Sequence, residues 1–236
     1  MKHIVFTFLL SFGWLLSGQA VAAPSGVKLD SAHINLRDQA SLQRGAQTFV
    51  NYCMGCHAAS FMRYSRMAKD LGLSEDIVRQ NLMFVTDTIG DTMTISMRAE
   101  DAQKWFGVTP PDLSVIARSR SVDWLYTYLR TYYLDDSTVM GTNNLAFSNV
   151  AMPHVLWEQQ GYKTIDADGN LVSATQGNLS SREYDLMVRD LVNFLAYVSE
   201  PSKLQRLDLG KWVLLYLFIF FLVAYPLKRA YWKDVH

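Results

Sequence analysis

The chain has 236 residues, half of them hydrophobic and 19% charged, with 22 basic residues balanced by 22 acidic ones. The length favours one ordinary domain with appendages over two full domains, and the lack of a basic excess argues against a nucleic-acid-binding protein. The apolar content is concentrated at the two ends, so the ends decide where the middle of the chain resides.

Met1-Lys2-His3 precedes an apolar run from Ile4 to Leu16 and small residues ending Ala20-Val21-Ala22-Ala23. A short positive segment, ~13 apolar residues and an A-x-A site mark a secretory signal peptide; the run falls short of the ~20 residues of a membrane span. Residues 1–22 are therefore expected to be a signal, cleaved after Ala22 or Ala23, and residues 23–208 an exported, periplasmic domain. Residues 24–210 hold 17 Lys+Arg against 21 Asp+Glu, a net charge of −4. Mild acidity of this kind suits the steering of a basic protein partner.

Residues 40–55 carry Gly45, Ala46 and Phe49 on one helical face and lead into Cys53-Met54-Gly55-Cys56-His57. A disulfide across two intervening residues would close a tiny loop and constrain little of the unfolded chain. A thioredoxin-like dithiol needs a βαβ setting, and the flanking pattern is helical. Structural zinc or an iron–sulfur cluster needs four ligands, and no other cysteines are present. The remaining reading of C-x-x-C-H is the attachment site of one c-type haem. The two thiols of one helical turn bond the vinyl groups, and His57 presents its imidazole to the iron.

Ser74 caps a helix that opens with Glu75 and Asp76 and runs to about Phe84. Val122, Leu125, Tyr126 and Leu129 recur with helical spacing. The second axial ligand has several candidates among ten methionines, most of which read as core filler. Met187 lies on an apolar helical face, Met54 sits inside the motif, and Met62, Met67 and Met83 are placed on helices. Met152 instead lies in an irregular stretch, Asn143 to His154, stiffened by Pro153, which is how a loop presents a ligand. Met140 and His154 are its rivals. Methionine opposite histidine closes the iron and raises its potential, whereas an open position permits ligand binding or peroxide chemistry.

Asp168-Gly169 separates two short runs between Tyr162 and Ala174 and reads as a β-hairpin. Ser181 opens the last helix of the domain, with Tyr184, Met187, Val188, Leu191, Leu195 and Val198 on one stripe ended by Pro201. Small residues on the first helix would let this one approach closely. From Trp212 to Leu227 there is no charge. Those 16 residues rise ~24 Å, and flanking aromatics and snorkelling lysines extend the reach to a bilayer core. Lys228, Arg229 and Lys233 then mark the cytoplasmic side. The expected organisation is an all-α c-type cytochrome domain with one small β-hairpin excursion, a single transmembrane anchor over 209–228 and a cytoplasmic tail over 229–236.

The order of features resembles the cytochrome c1 family, the haem subunit of ubiquinol–cytochrome c reductase, in its bacterial form. The resemblance rests on Cys53–His57, Tyr64 and Arg66, Pro110-Pro111-Asp112-Leu113-Ser114 running into Ile116-Ala117-Arg118-Ser119-Arg120, Val150-Ala151-Met152-Pro153, and one C-terminal anchor. It covers nearly all of the mature chain. It implies that Met152 is the distal ligand, that Arg118 or Arg120 pairs with a haem propionate, and that Pro110 and Pro111 shape the pocket wall. It also implies a dimeric complex in the bacterial inner membrane that oxidises ubiquinol. One electron would pass from the Rieske iron–sulfur protein to a soluble or anchored c-type cytochrome, with the anchor packed against cytochrome b and lipid. Unlike the mitochondrial pattern, which has Ala-Pro-Pro after the ligand, Pro153 and His154 follow Met152 directly, and no acidic docking extension is evident. Two other readings stand beside this one: a stand-alone anchored cytochrome, which would need a long flexible tether, and a haem enzyme or sensor with an open iron site.

Overall fold

The computed structural model describes residues 27–234; the expected signal peptide lies outside the described residues. The architecture is helical, with three small antiparallel strand pairs. The first helix, α1 (Gln39–Thr48), is capped by Asp38, whose side chain accepts the Ser41 N–H at 3.0 Å. It continues as a wider π turn, Phe49–Cys53, that delivers the chain into the C-x-x-C-H motif. Then come β1 (Ala59–Arg63), α2 (Tyr64–Asp70), α3 (Glu75–Asn81), β2 (Thr92–Met93), α4 (Ala99–Phe106), the short α5 (Ile116–Ser119) and α6 (Val122–Arg130). The second half holds β3 (Tyr132–Leu134), β4 (Thr142–Asn144), the short α7 (Trp157–Gln160), β5 (Lys163–Ile165), β6 (Leu171–Ser173), α8 (Ser181–Ser199) and α9 (Lys203–Tyr231).

The core is organised by α1 crossing α8. Gly45 makes that crossing possible, because a Cβ there would run into the Asp190 carbonyl and the Phe194 Cβ. Phe49 and Phe194 meet beside it with ring centroids 5.6 Å apart. Helix α8 starts with a full capping box: Ser180 accepts the Glu183 N–H, and the Glu183 carboxylate accepts the Ser180 N–H at 2.9 Å. The helix opens at Ser181 as expected, with Ser180 as its cap. Tyr184, Val188, Leu191, Leu195 and Val198 are buried as the stripe predicts, each side chain contributing roughly 1.5–3 kcal/mol of transfer free energy. The buried Asp190 carboxylate accepts Ser41 Oγ–H and Arg44 Nε–H, both at 2.6 Å, so its charge is paired as burial requires.

Several local expectations shift. The stripe on α6 is Trp124, Leu125, Tyr128 and Leu129, all buried, while Val122 and Tyr126 are only half-buried at its edge. Tyr126 is drawn outward by Arg130, whose guanidinium lies 4.5 Å from the ring centroid. Met62 is on strand β1, not on a helix, because the chain after the motif pairs with β2 in an irregular antiparallel register, Ala59 with Met93 and Arg63 with Thr92. Met67 is on α2 as expected, and Met83 follows the end of α3, which stops at Asn81, short of Phe84. The expected hairpin is present as β5–β6, Ile165 facing Leu171, with Gly169 at φ 85° in its turn. A third pair, β3–β4, joins Tyr132 to Asn144 and Leu134 to Thr142.

Helix α9 begins at Lys203, with three residues between it and the end of α8, and stays helical to Tyr231. Its 29 residues contain a stretch of mean hydropathy 2.0 with none of it buried. The apolar side chains from Trp212 to Val223 are all exposed. A helix that is apolar all round and covered by nothing belongs in lipid. At its base Arg206 pairs with Glu200 at 2.6 Å, and Asp208 reaches Arg37 at 3.4 Å and Lys211 at 3.2 Å.

Candidate haem site

A cavity of about 460 Å³ opens between the motif, the proline loop, α6, the Met152 loop and α8. Cys53, Cys56, His57, Pro110, Pro111, Arg120 and Met152 all line it. Arg118 does not; its exposed side chain leaves from the neighbouring α5. Met140 lines an adjacent surface groove instead. His154 is buried outside the cavity, its ring stacked on Tyr132 at 4.8 Å and 6°. Burial holds its pKa down to about 4, and its Nε2 finds no hydrogen-bond partner among the described residues.

The local geometry follows from two hydrogen-bond clusters. After the π turn, the amides of Cys56 and His57 both donate to the Cys53 carbonyl, at 3.0 and 2.9 Å. This closes a single tight turn that brings both thiols and the imidazole to one wall. His57 Nδ1 lies 2.7 Å from the Pro111 carbonyl oxygen. A carbonyl only accepts, so Nδ1 carries the proton and Nε2 keeps its lone pair. Burial lowers the His57 pKa, outweighing the Pro111 carbonyl and the nearby Asp112 carboxylate. The ring is thus neutral at pH 7 and ready to ligate a metal.

Asp112 fixes the carbonyl in place. Its Oδ1 accepts the Ser114 N–H at 2.7 Å and its Oδ2 the Ser60 N–H at 3.0 Å. The Leu113 N–H donates to the Ala58 carbonyl at 2.8 Å and the Phe61 N–H to Ser114 Oγ at 3.0 Å. The proline loop is therefore stapled to the residues just after the motif. Proline, lacking N–H, leaves no competing donor there.

Burial pushes the Cys53 thiol up to about 12, with Cys56 adding to the effect. The described residues contain no βαβ unit, so the thioredoxin-like alternative lacks its setting. Nor do the described residues group three or more His, Cys, Asp or Glu as a metal cage. Two thiols, one tautomerically fixed imidazole and one thioether in an otherwise aliphatic and aromatic cavity form a donor set that fits a c-type haem.

Several lining residues were outside the sequence-derived site: Trp124, Leu125, Tyr128, Leu129, Leu191 and Leu195. Their helical periodicity signals burial, but burial against a cofactor looks the same as burial against protein. Arg120, at the cavity rim, has its guanidinium 5.2 Å from the Trp124 ring centroid and 5.8 Å from that of Phe147.

Comparison with known proteins adds the following. The Cytochrome C1 family profile matches residues 31–235. Cytochrome c1 of Allochromatium vinosum is 49% identical over all of this chain and 99% of that protein. A protein of Nitrosomonas europaea named ammonia monooxygenase gamma subunit is 51% identical, with full coverage of both chains. Cytochrome c1 of Rhodospirillum rubrum is 26% identical over 100% of this chain and 99% of that protein. A chain of a hyperthermophilic respiratory complex III aligns over 100% of this chain and 95% of its own length, at 16% identity and a TM-score of 0.39.

Proposed function

The chain belongs to the cytochrome c1 family, and on that premise we propose that its cavity binds one haem c between His57 and Met152 and relays single electrons from a Rieske iron–sulfur protein to a c-type cytochrome. It is an electron-transfer subunit of the quinol–cytochrome c oxidoreductase complex and is anchored in the membrane by one helix. The observation that carries the proposal is the gathering of Cys53, Cys56, His57 and Met152, drawn from two distant parts of the chain, around one apolar cavity.

Bound haem supplies a reversible one-electron couple. The polypeptide supplies everything that makes the couple useful. Cys53 and Cys56 would hold the group by thioether bonds, so that it could not exchange. His57, with Nδ1 donating to Pro111, would offer Nε2 to the iron in one fixed orientation, and Met152 would supply the second protein ligand. The leucines of α6 and α8 exclude water, which favours the less charged, reduced state. Arg120, which lines the cavity where Arg118 does not, would meet a propionate by a charge-assisted hydrogen bond.

The haem domain faces the periplasm and Lys228, Arg229 and Lys233 lie in the cytoplasm, by the positive-inside rule. The exposed apolar flank of α9 packs against cytochrome b and lipid, within a dimeric complex. The absence of a flexible tether between α8 and α9 disfavours a free-standing swinging carrier.

Purification from native membranes tests the assignment. Co-elution with cytochrome b and a Rieske protein, together with a weak near-infrared charge-transfer band in the oxidised spectrum, is the expected result. The 51% identical relative carries the name of a different assembly, and recovery with monooxygenase subunits in place of cytochrome b would transfer this chain to that assembly. Carbon monoxide binding to the reduced protein at neutral pH would refute a closed His/Met site.

A further inference from the structure

The two sides of the cavity are secured differently. The side that carries His57 is tied to the proline loop through His57, Ala58, Ser60 and Phe61, each hydrogen-bonded to a residue between Pro111 and Ser114. Toward the Met152 side there is a single tie. Gln159 Nε2 donates to Tyr52 Oη at 2.7 Å, across 107 residues of sequence. Among the described residues it is the only hydrogen bond between the segments 49–63 and 142–162.

Both ends of this bond are themselves held. Tyr52 immediately precedes Cys53 in the π turn, where the Met54 amide reaches back to the Phe49 carbonyl at 3.0 Å, and its ring lines the cavity. Single π turns of this kind recur at functional sites. Gln159 lies on α7, seven residues after Met152. The Asn178 and Leu179 amides donate to the Glu158 and Gln159 carbonyls at 2.8 and 3.1 Å, and Gln160 Nε2 donates to the Arg130 carbonyl at 3.0 Å. A Cβ on Gly177 would strike the Gln159 carbonyl, so the backbone there has no slack. At the entry of the Met152 loop, Asn144 Nδ2 donates to the Tyr128 carbonyl at 2.7 Å. Met152 is therefore slung between two anchored points, and Tyr52 connects the second of them to the attachment turn. Gln159 Oε1 is buried without a partner among the described residues, so the bond to Tyr52 is the only one this side chain makes there.

We propose that Tyr52 and Gln159 are positioning residues for the electron-transfer site: their hydrogen bond clasps the Met152 side of the cavity to the attachment turn and so keeps the Met152 thioether within reach of the iron. This rests on Met152 being the second protein ligand. With the haem fixed to the wall that carries Cys53, Cys56 and His57, the separation of the two walls would decide how often the thioether lets go. A clasp that favours the bound thioether lowers the population of the open site, and a small ligand that needs open iron reads that population directly. Packing alone would require only the Tyr52 ring, which phenylalanine retains.

The test is the rate at which cyanide binds the oxidised c-type haem in the purified complex, since cyanide enters only when the thioether is off. Tyr52→Phe and Gln159→Leu should each speed binding roughly three- to tenfold, one hydrogen bond expressed as a change in open population. The double variant should be no faster than the quicker single one, because both substitutions remove the same bond. Gln159→Glu, whose carboxylate still accepts the Tyr52 hydroxyl, should return the rate to near that of wild type. Should Tyr52→Phe fail to take up haem, the two Gln159 variants decide. Wild-type rates in the single variants, a double variant whose increase is the product of the two, or no recovery in Gln159→Glu overturn the clasp; with the near-infrared methionine band present in wild type, Met152 stays as ligand. A wild-type spectrum without that band overturns the clasp and the ligand assignment together.

Discussion

Asp112 offers the sharpest test of how His57 is held. Replacing it with alanine removes two carboxylate acceptors, for the Ser60 and Ser114 amides, at 3.0 and 2.7 Å. Hydrogen bonds to a charged group contribute about 1.5–3 kcal/mol each when enclosed. Asp112 is exposed, so water replaces part of each, and about 1–2 kcal/mol in total is the reasonable loss. For a domain of this size, each kcal/mol is about 2–4 °C in Tm, so Asp112→Ala should melt roughly 2–8 °C lower, followed through the haem absorbance. The Pro111 carbonyl would lose its support, and the weaker bond to His57 Nδ1 should also shift the potential. The pH dependence has a definite sign. Burial disfavours the ionised Asp112, but its bonds to Ser114 and Ser60 outweigh this and lower its pKa. A depressed carboxylate stabilises the fold above its unfolded pKa of about 3.9 and loses that contribution as pH falls through the folded value. The gap in Tm between wild type and Asp112→Ala should therefore be full at pH 6–7 and shrink below about pH 4. Equal melting of the two proteins at pH 7 would refute the stapling argument.

Three further outcomes follow from the structure. Gly45→Ala should destabilise by about 1–3 kcal/mol despite alanine's better helix propensity, since the new Cβ meets the Asp190 backbone carbonyl and α1 cannot stay in place; a raised Tm would mean the helices part freely. Met152→Leu should lower the potential strongly and allow carbon monoxide to bind the reduced protein, whereas an unchanged potential would move the ligand elsewhere. Cys53→Ala combined with Cys56→Ala should abolish the haem-stained band on denaturing gels, and a surviving band would refute covalent attachment through these two residues.

What could be read in the sequence was what is local. Cys53, Cys56 and His57 lie within one turn, so their chemistry is written in five consecutive letters. The Ser74 cap, the stripe on α8 and the Asp168-Gly169 turn are likewise short-range patterns with a physical cause. Met152 was only one of several candidates by spacing, and it took the family resemblance to prefer it; its meeting with His57's cavity depends on loops that periodicity does not describe. Asp112 read as part of a proline-rich segment, yet its role comes from Ser60, 52 residues earlier. Tyr128 was passed over because Tyr126 fits the helical count as well. The decision between them is made by Arg130 and by the cavity, both tertiary facts. Strand β1 was missed because a single irregular pairing with β2, about 30 residues away, overrides a helical-looking run.

The junction of α8 and α9 has a consequence for traffic around the protein. Glu200, Pro201 and Ser202 are the only residues between the two helices, and the segment from Lys203 to Lys211 is already helical before the uncharged span begins. Those nine residues make a rod about 13 Å tall. Its foot is braced by the Arg206–Glu200 and Arg37–Asp208 pairs. The redox centre therefore behaves as a stationary electrode mounted at a set altitude above the bilayer, and the work of travel falls on its customers: each donor and each acceptor must come to it, unload or collect one electron, and leave.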